Sequence, residues 1–228
     1  MFYTTFSHYK KKKDPSHSIR WIAQTGPIKE GLKSDYFAEL LHLSKDQPNS
    51  IAPEEAQKIL QNHPLIKEVK VRLLNFNILY IDYIMRQPRF FLFDFSNIVM
   101  DEMGYLMPFK PFFTPKRLPT LFLGLKSISW YEPVQEEKVH LALDLTHCLK
   151  GIARTFQIDL SQIEAETLGK KEIILTIDNE NGSYHYLRLS LKRYMQEILH
   201  YRSLRGGLVT KNVVIDLRLP NLAFIKIC

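Results

Sequence analysis

The sequence predicts an α+β protein in two parts: a strand, two helices and a hairpin, followed by a mixed β-sheet domain carrying two helices. Three observations predict it. Between residues 48 and 85 a short helical pattern runs straight into two alternating strands. Gln87-Pro88 then breaks the second strand, because proline cannot donate to a ladder, and an aromatic run over residues 90–95 opens something new. Beyond that break, short apolar strands recur between turn signals, and two stretches show helical spacing.

Taken in order, residues 18–23 read as a strand, 25–31 as a turn marked by glycine and proline, and 33–43 as a helix burying Tyr36, Phe37, Leu40 and Leu41. Pro53 suits a first helical turn, Glu54 and Glu55 complement its positive end, and Ala56, Ile59 and Leu60 form an apolar stripe. Pro64 stops that helix. Val69, Val71 and Leu73 alternate with Lys70 and Arg72; after a turn, Leu79, Ile81 and Tyr83 alternate with Tyr80, Asp82 and Ile84. Two helices on one face of three strands make a viable small unit.

The second part begins near Arg89. Asp101 to Gly104 has hairpin chemistry, with a glycine free to take positive φ. The proline-rich residues 109–119 read as surface chain, and 135–155 as a long helix with Val139, Ala142, Leu145, Leu149 and Ile152 on one side. Strands follow at 158–166, 172–178 and 184–189, the last two joined by Asn179-Glu180-Asn181-Gly182. A helix over 191–205 ends at Gly206-Gly207, and strands at 213–218 and 222–227 flank Pro220-Asn221. The reading is thus a basic flexible tail (1–17, with lysine at each of positions 10–13), a first domain (18–89), and a meandering sheet with two helices (90–228).

Composition narrows the function classes. With 228 residues, 45% hydrophobic and 24% charged, the chain reads as globular and can bury two cores. No window approaches the roughly 18 apolar residues of a membrane span, and no export signal is legible at the start. A net charge of +7 allows an anionic partner without selecting one. Cys148 and Cys228 are too few for a disulfide framework and lack metal-ligand spacing.

Candidate chemistry is sparse. His140, Asp144 and His147 share a helix face at spacings that could grip a divalent metal, which would make the chain a metal-dependent enzyme, but a solvated polar face looks the same. Asp178 and Glu180 sit in a turn, where they read as solvated acids and not as a general acid/base pair. No nucleophile elbow, phosphate-cradling glycine loop or paired zinc cysteines occurs. The aromatic run over residues 90–95 has only Arg89 beside it, and Lys192, Arg193, Arg202 and Arg205 line the outside of the last helix, where contact with phosphates competes with a plain solvated face. The reading is therefore non-enzymatic, with no cofactor, no metal and no nucleic acid.

The last strand is different. Proteins guard an open sheet edge with lysine, proline or a covering loop, and here only Lys226 intrudes among Leu222, Ala223, Phe224, Ile225 and Ile227. Such a strand is either covered by the protein's own loop or, left open, invites a second chain to add a strand, main-chain bonds giving affinity and side-chain pockets giving choice.

Several local signatures, in this order, resemble the FtsQ/DivIB family of bacterial cell-division proteins. Asn62-His63-Pro64-Leu65-Ile66 with Val69-Lys70-Val71-Arg72 is similar to its helix-to-strand junction, and Arg86-Gln87-Pro88 to the tail of its second hairpin strand. Asp101 to Gly104, Leu118-Pro119 and Ile215-Asp216-Leu217-Arg218 resemble its turn, its leucine-proline pair and its penultimate strand. The resemblance implies a POTRA domain over 18–89 and a β domain over 90–228, with no catalytic activity. It implies an inner-membrane protein, held by a span this sequence does not contain, whose folded part lies on the periplasmic side and recruits divisome members during septum formation. The implied partners are small single-pass coiled-coil proteins similar to FtsB and FtsL, contacting Leu222, Ala223, Phe224, Ile225 and Lys226, with other septal proteins reached through the POTRA domain. A POTRA-type chaperone of outer-membrane assembly or secretion is the alternative of nearest architecture.

Overall fold

The computed structural model describes residues 18–44, 50–75, 77–179 and 181–228. The lysine run at 10–13 and Glu180 lie outside the described residues. The described residues fall into two compact units that divide between Met85 and Arg86. Arg86 and Arg89 go with the second unit for a visible reason: the Arg86 guanidinium bonds Asp101 at 2.9 Å, and the Arg89 N–H donates to the Met100 carbonyl at 2.8 Å.

In the first unit, β1 (Trp21–Thr25), α1 (Ser34–Leu40), α2 (Pro53–Gln61), β2 (Ile66–Leu74) and β3 (Ile78–Met85) build a three-stranded sheet of order β1-β3-β2. β1 runs parallel to the central β3, and β2 antiparallel to it. The alternation of β2 and β3 is expressed as burial: Val69, Val71, Leu79, Ile81 and Tyr83 are buried, while Lys70, Arg72 and Asp82 are exposed. From α2, Ala56 and Leu60 are buried but Ile59 is exposed, because a nine-residue helix on a small sheet presents a narrower contact than its apolar stripe. The Tyr83 ring packs edge-on to Phe37, and its hydroxyl accepts the Leu32 N–H at 2.7 Å.

In the second unit, β4 (Phe90–Leu92), β5 (Ile98–Met100), β6 (Leu106–Pro108), β7 (Thr120–Phe122), α3 (Glu136–Leu149), β8 (Thr155–Asp159), β9 (Ile173–Asp178), β10 (Tyr184–Leu189), α4 (Tyr194–Leu204), β11 (Val213–Asp216) and β12 (Phe224–Ile227) follow in order. They form one nine-stranded sheet, β12-β11-β10-β9-β8-β7-β4-β5-β6. This is a mixed α+β protein with a large mixed sheet. It is not a simple meander: β4–β7, β7–β8 and β10–β11 pair in parallel. Parallel neighbours need crossovers, and α3 and α4 supply the last two.

Val139, Ala142, Leu145 and Leu149 of α3 and Ile198 and Tyr201 of α4 join the inward residues of the strands in one core. Near β4 the opposite face is covered by the proline-rich chain after β6, where Phe109 packs edge-on to Phe91 with ring centroids 4.8 Å apart. α3 stops at Leu149, six residues before the helix the spacing predicts, because Gly151 takes φ +84 and turns the chain. Ile152 fits the helical spacing yet is buried from the turn that follows. The next strand accordingly lies at 155–159 and not at 158–166.

Candidate interaction edge

The two margins of the large sheet are unlike. β6 is three residues long, ends on Pro108, and buries Leu106 and Met107. Short length and proline are what usually blunt an edge. β12, at the other margin, pairs antiparallel with β11, with Val213 opposite Ile227, Val214 opposite Lys226, Ile215 opposite Ile225 and Asp216 opposite Phe224. Among the described residues it pairs with no other strand.

The register fixes which backbone groups are free. The Cys228 N–H donates to the Asn212 carbonyl at 2.9 Å, so the alternation of an antiparallel ladder turns Lys226 and Phe224 toward β11 and Ile225 and Ile227 outward. β11 obeys the complementary rule: Leu217 donates to the Arg188 carbonyl at 3.0 Å, so the odd-numbered residues of β11 serve β10. The N–H and C=O groups of Ile225 and Ile227 therefore point away from the sheet.

Apart from Lys226, which shares the Phe224 face, the side chains of the edge are apolar on both faces. Ile225 and Ile227 lie opposite Ile215 and Val213, so they extend the helix-covered core face past its buried margin, and they stay 42% and 60% exposed. Phe224, 58% exposed, shares the other face with Asp216, and Leu222 just before the strand is 57% exposed. Covering these four would release roughly 1 kcal/mol each at about 25 cal/mol per Å² of apolar surface.

A charged network braces the strand that carries this edge. Arg188 on β10 bonds Glu172 through Nε at 2.7 Å and Nη2 at 3.1 Å, and its Nη1 lies 3.4 Å from Asp216 on β11. Arg218, just beyond β11, grips Asp216 by Nε–Oδ1 at 2.9 Å and Nη2–Oδ2 at 2.7 Å and approaches Glu172 at 3.2 Å. Burial alone would raise the Asp216 pKa; the hydrogen bonds and charge of Arg218, with Arg188 behind them, outweigh it and hold the carboxyl below its ordinary range. Arg193 at the start of α4 adds a bond from Nη2 to the Arg218 carbonyl at 2.6 Å. The turn into β12 then uses Asn221 at φ +58, a conformation asparagine tolerates.

Beneath the same region, His185 of β10 is wholly buried. Its Nδ1 meets the Tyr201 hydroxyl at 2.8 Å and its Nε2 the Leu208 carbonyl at 3.0 Å. The carbonyl can only accept, so Nε2 carries the hydrogen and Nδ1 accepts from the tyrosine. Desolvation keeps the imidazole neutral by lowering its pKa, with Arg205 acting in the same sense against the opposing carbonyl bonds. Desolvation also pushes the Tyr201 phenol up to about 12, despite Arg205.

The other sequence candidates are dispersed. His140 bonds Glu136 at 3.1 Å, Asp144 accepts the Tyr194 hydroxyl at 3.2 Å, and among the described residues no three His, Cys, Asp or Glu side chains are placed to hold a metal ion. The basic quartet near α4 is not one outward face. Arg193 is tied to Arg218, and Arg205 to the Ile152 carbonyl and, at 3.1 Å, to Asn179. A cleft of about 570 Å³ between α2 and β2 is lined by Glu54, Glu55 and Lys58, with Gln57 capping the Val71 N–H at 3.2 Å. Among the described residues no helix is long and apolar enough to cross a membrane.

Sequence reasoning missed the bracing network and His185. Glu172, Arg188, Asp216 and Arg218 meet only through the register of β9, β10 and β11, which no local pattern encodes. His185 carried a usable signal: it falls on the inward phase of β10, with Leu187 and Leu189. No family model matches the chain, and no curated protein does.

Proposed function

We propose that this chain is a non-catalytic scaffold of bacterial cell division, similar to the FtsQ/DivIB family, that recruits small single-pass coiled-coil partners by strand addition at β12. One observation carries the reading: among the described residues β12 is an edge strand whose outward N–H and C=O groups have no strand opposite them, and its side chains other than Lys226 are apolar on both faces. Main-chain pairing would give such a partner its affinity, while Leu222, Ala223, Phe224, Ile225 and Lys226 select its side chains. The order β1-β3-β2 with two helices supports a POTRA-type first domain, and the large mixed sheet with two crossover helices supports a β domain of the family's kind. In this reading the folded part works outside the cytoplasm, on the periplasmic side of the inner membrane, and the partners resemble FtsB and FtsL.

The test is capture of the host's small coiled-coil division protein by purified chain, compared with Phe224→Lys. Phe224 is exposed and its side chain supports no core, so the variant keeps its circular dichroism spectrum. Capture by the wild type and loss of at least tenfold in affinity for the variant support the reading. Equal capture by both removes β12 from the contact.

A further inference from the structure

β12 also matches itself. We propose that, in the absence of a guest, two copies of this chain pair their β12 edges antiparallel about a two-fold axis through Ile225, closing the same groups a partner strand would use. The inference rests on the edge being open in the single chain.

The backbone restricts the pairing. Ile225 and Ile227 turn their N–H and C=O groups outward, and Ala223 continues that alternation, so an added strand must set its own outward residues opposite these. A second copy does so when Ile225 faces Ile225, Ala223 faces Ile227 and Phe224 faces Lys226. Every outward group from 223 to 227 then has a partner.

Side chains choose among the symmetric registers. In the register centred on 225, Lys226 of each copy lies beside the Phe224 ring of the other, within reach of a cation–π contact, and Ile227 packs against the small Ala223. Centring on 226 sets lysine against lysine, which is repulsive. Centring on 224 sets Ile227 opposite Asn221, whose φ of +58 has already ended the extended chain. The lysine that guards the edge against other strands is thus compatible with its own copy. Self-pairing and guest binding compete, so the fraction of chain able to accept a partner falls as its local concentration rises.

Sedimentation of the whole chain from micromolar to millimolar concentration tests this, with Ile225→Pro and Lys226→Glu alongside. Because the Ile225 N–H points away from β11, proline there removes an outward donor and leaves the β11 ladder intact. The expected result is a mass rising from one copy to two for the wild type, no rise for Ile225→Pro, and association at least threefold weaker for Lys226→Glu. Lys226 is exposed, so that variant remains folded if the proline does not. A wild type of single-copy mass throughout, or association indifferent to both substitutions, overturns the self-pairing. Hydrogen exchange at the Ile225 amide in dilute protein separates the two failures: fast exchange with no dimer refutes self-pairing alone, whereas a protected amide in the single-copy species refutes the open edge as well.

Discussion

Replacing Arg218 by alanine removes the clamp that braces β11, and the cost follows from its contacts. The side chain is three-quarters buried and makes a two-pronged bond to Asp216, an ion pair to Glu172 and a bond from Nη1 to the Gly169 carbonyl at 3.1 Å. Hydrogen bonds to charged groups contribute roughly 1.5–3 kcal/mol when well buried, and partial exposure reduces that. Arg188 stays beside both carboxylates, so neither is left without a cation. A net loss of about 2 kcal/mol results, which at a urea slope of about 2 kcal/mol per molar lowers the midpoint of the second unit by about 1 M. The pH dependence is diagnostic. A carboxylate whose folded pKa is depressed contributes stability above its unfolded pKa and loses it as pH falls through the folded value. The gap between wild type and Arg218→Ala must therefore be widest near neutrality and close in acid. Urea titrations followed by circular dichroism at several pH values decide it: a loss under about 0.5 kcal/mol, or a gap unchanged in acid, refutes the clamp.

Two further outcomes follow from buried groups. Tyr201→Phe leaves the buried His185 Nδ1 without its donor and should cost about 1–3 kcal/mol by urea denaturation. Because the folded pKa of His185 is lowered, the unfolded chain binds the proton first, so wild-type stability should fall as pH drops below about 6.5, a decline absent in His185→Leu. Gly104→Ala should destabilise the second unit by about 2 kcal/mol in thermal melts, since Gly104 sits at φ +85 and a Cβ there would lie 2.8 Å from Val139 Cγ2.

What the sequence disclosed depended on how local its cause was. The alternation of β2 and β3, the proline start of α2 and the aspartate–glycine turn before β6 arise from neighbours in the chain, and the structure places them where the pattern did. The length of α3 was misread because Ile152 continues a helical spacing that Gly151 has already ended. β7 was missed since the three residues Thr120–Phe122 carry no periodicity of their own, and they become a strand only by lying between β4 and β8. Of the candidate site, the apolar C-terminal strand could be read from composition. Its alternating free backbone groups, and the arginines behind it, required the register.

The account depends most on the Ile225 and Ile227 amides having no acceptor in the single chain. Residue-resolved hydrogen exchange on dilute protein measures that directly. It should give fast exchange at Ile225 and Ile227 beside slow exchange at Lys226, whose N–H faces β11. Uniform protection along 224–227 would mean that the margin is already closed, and strand addition at β12 would have to be abandoned.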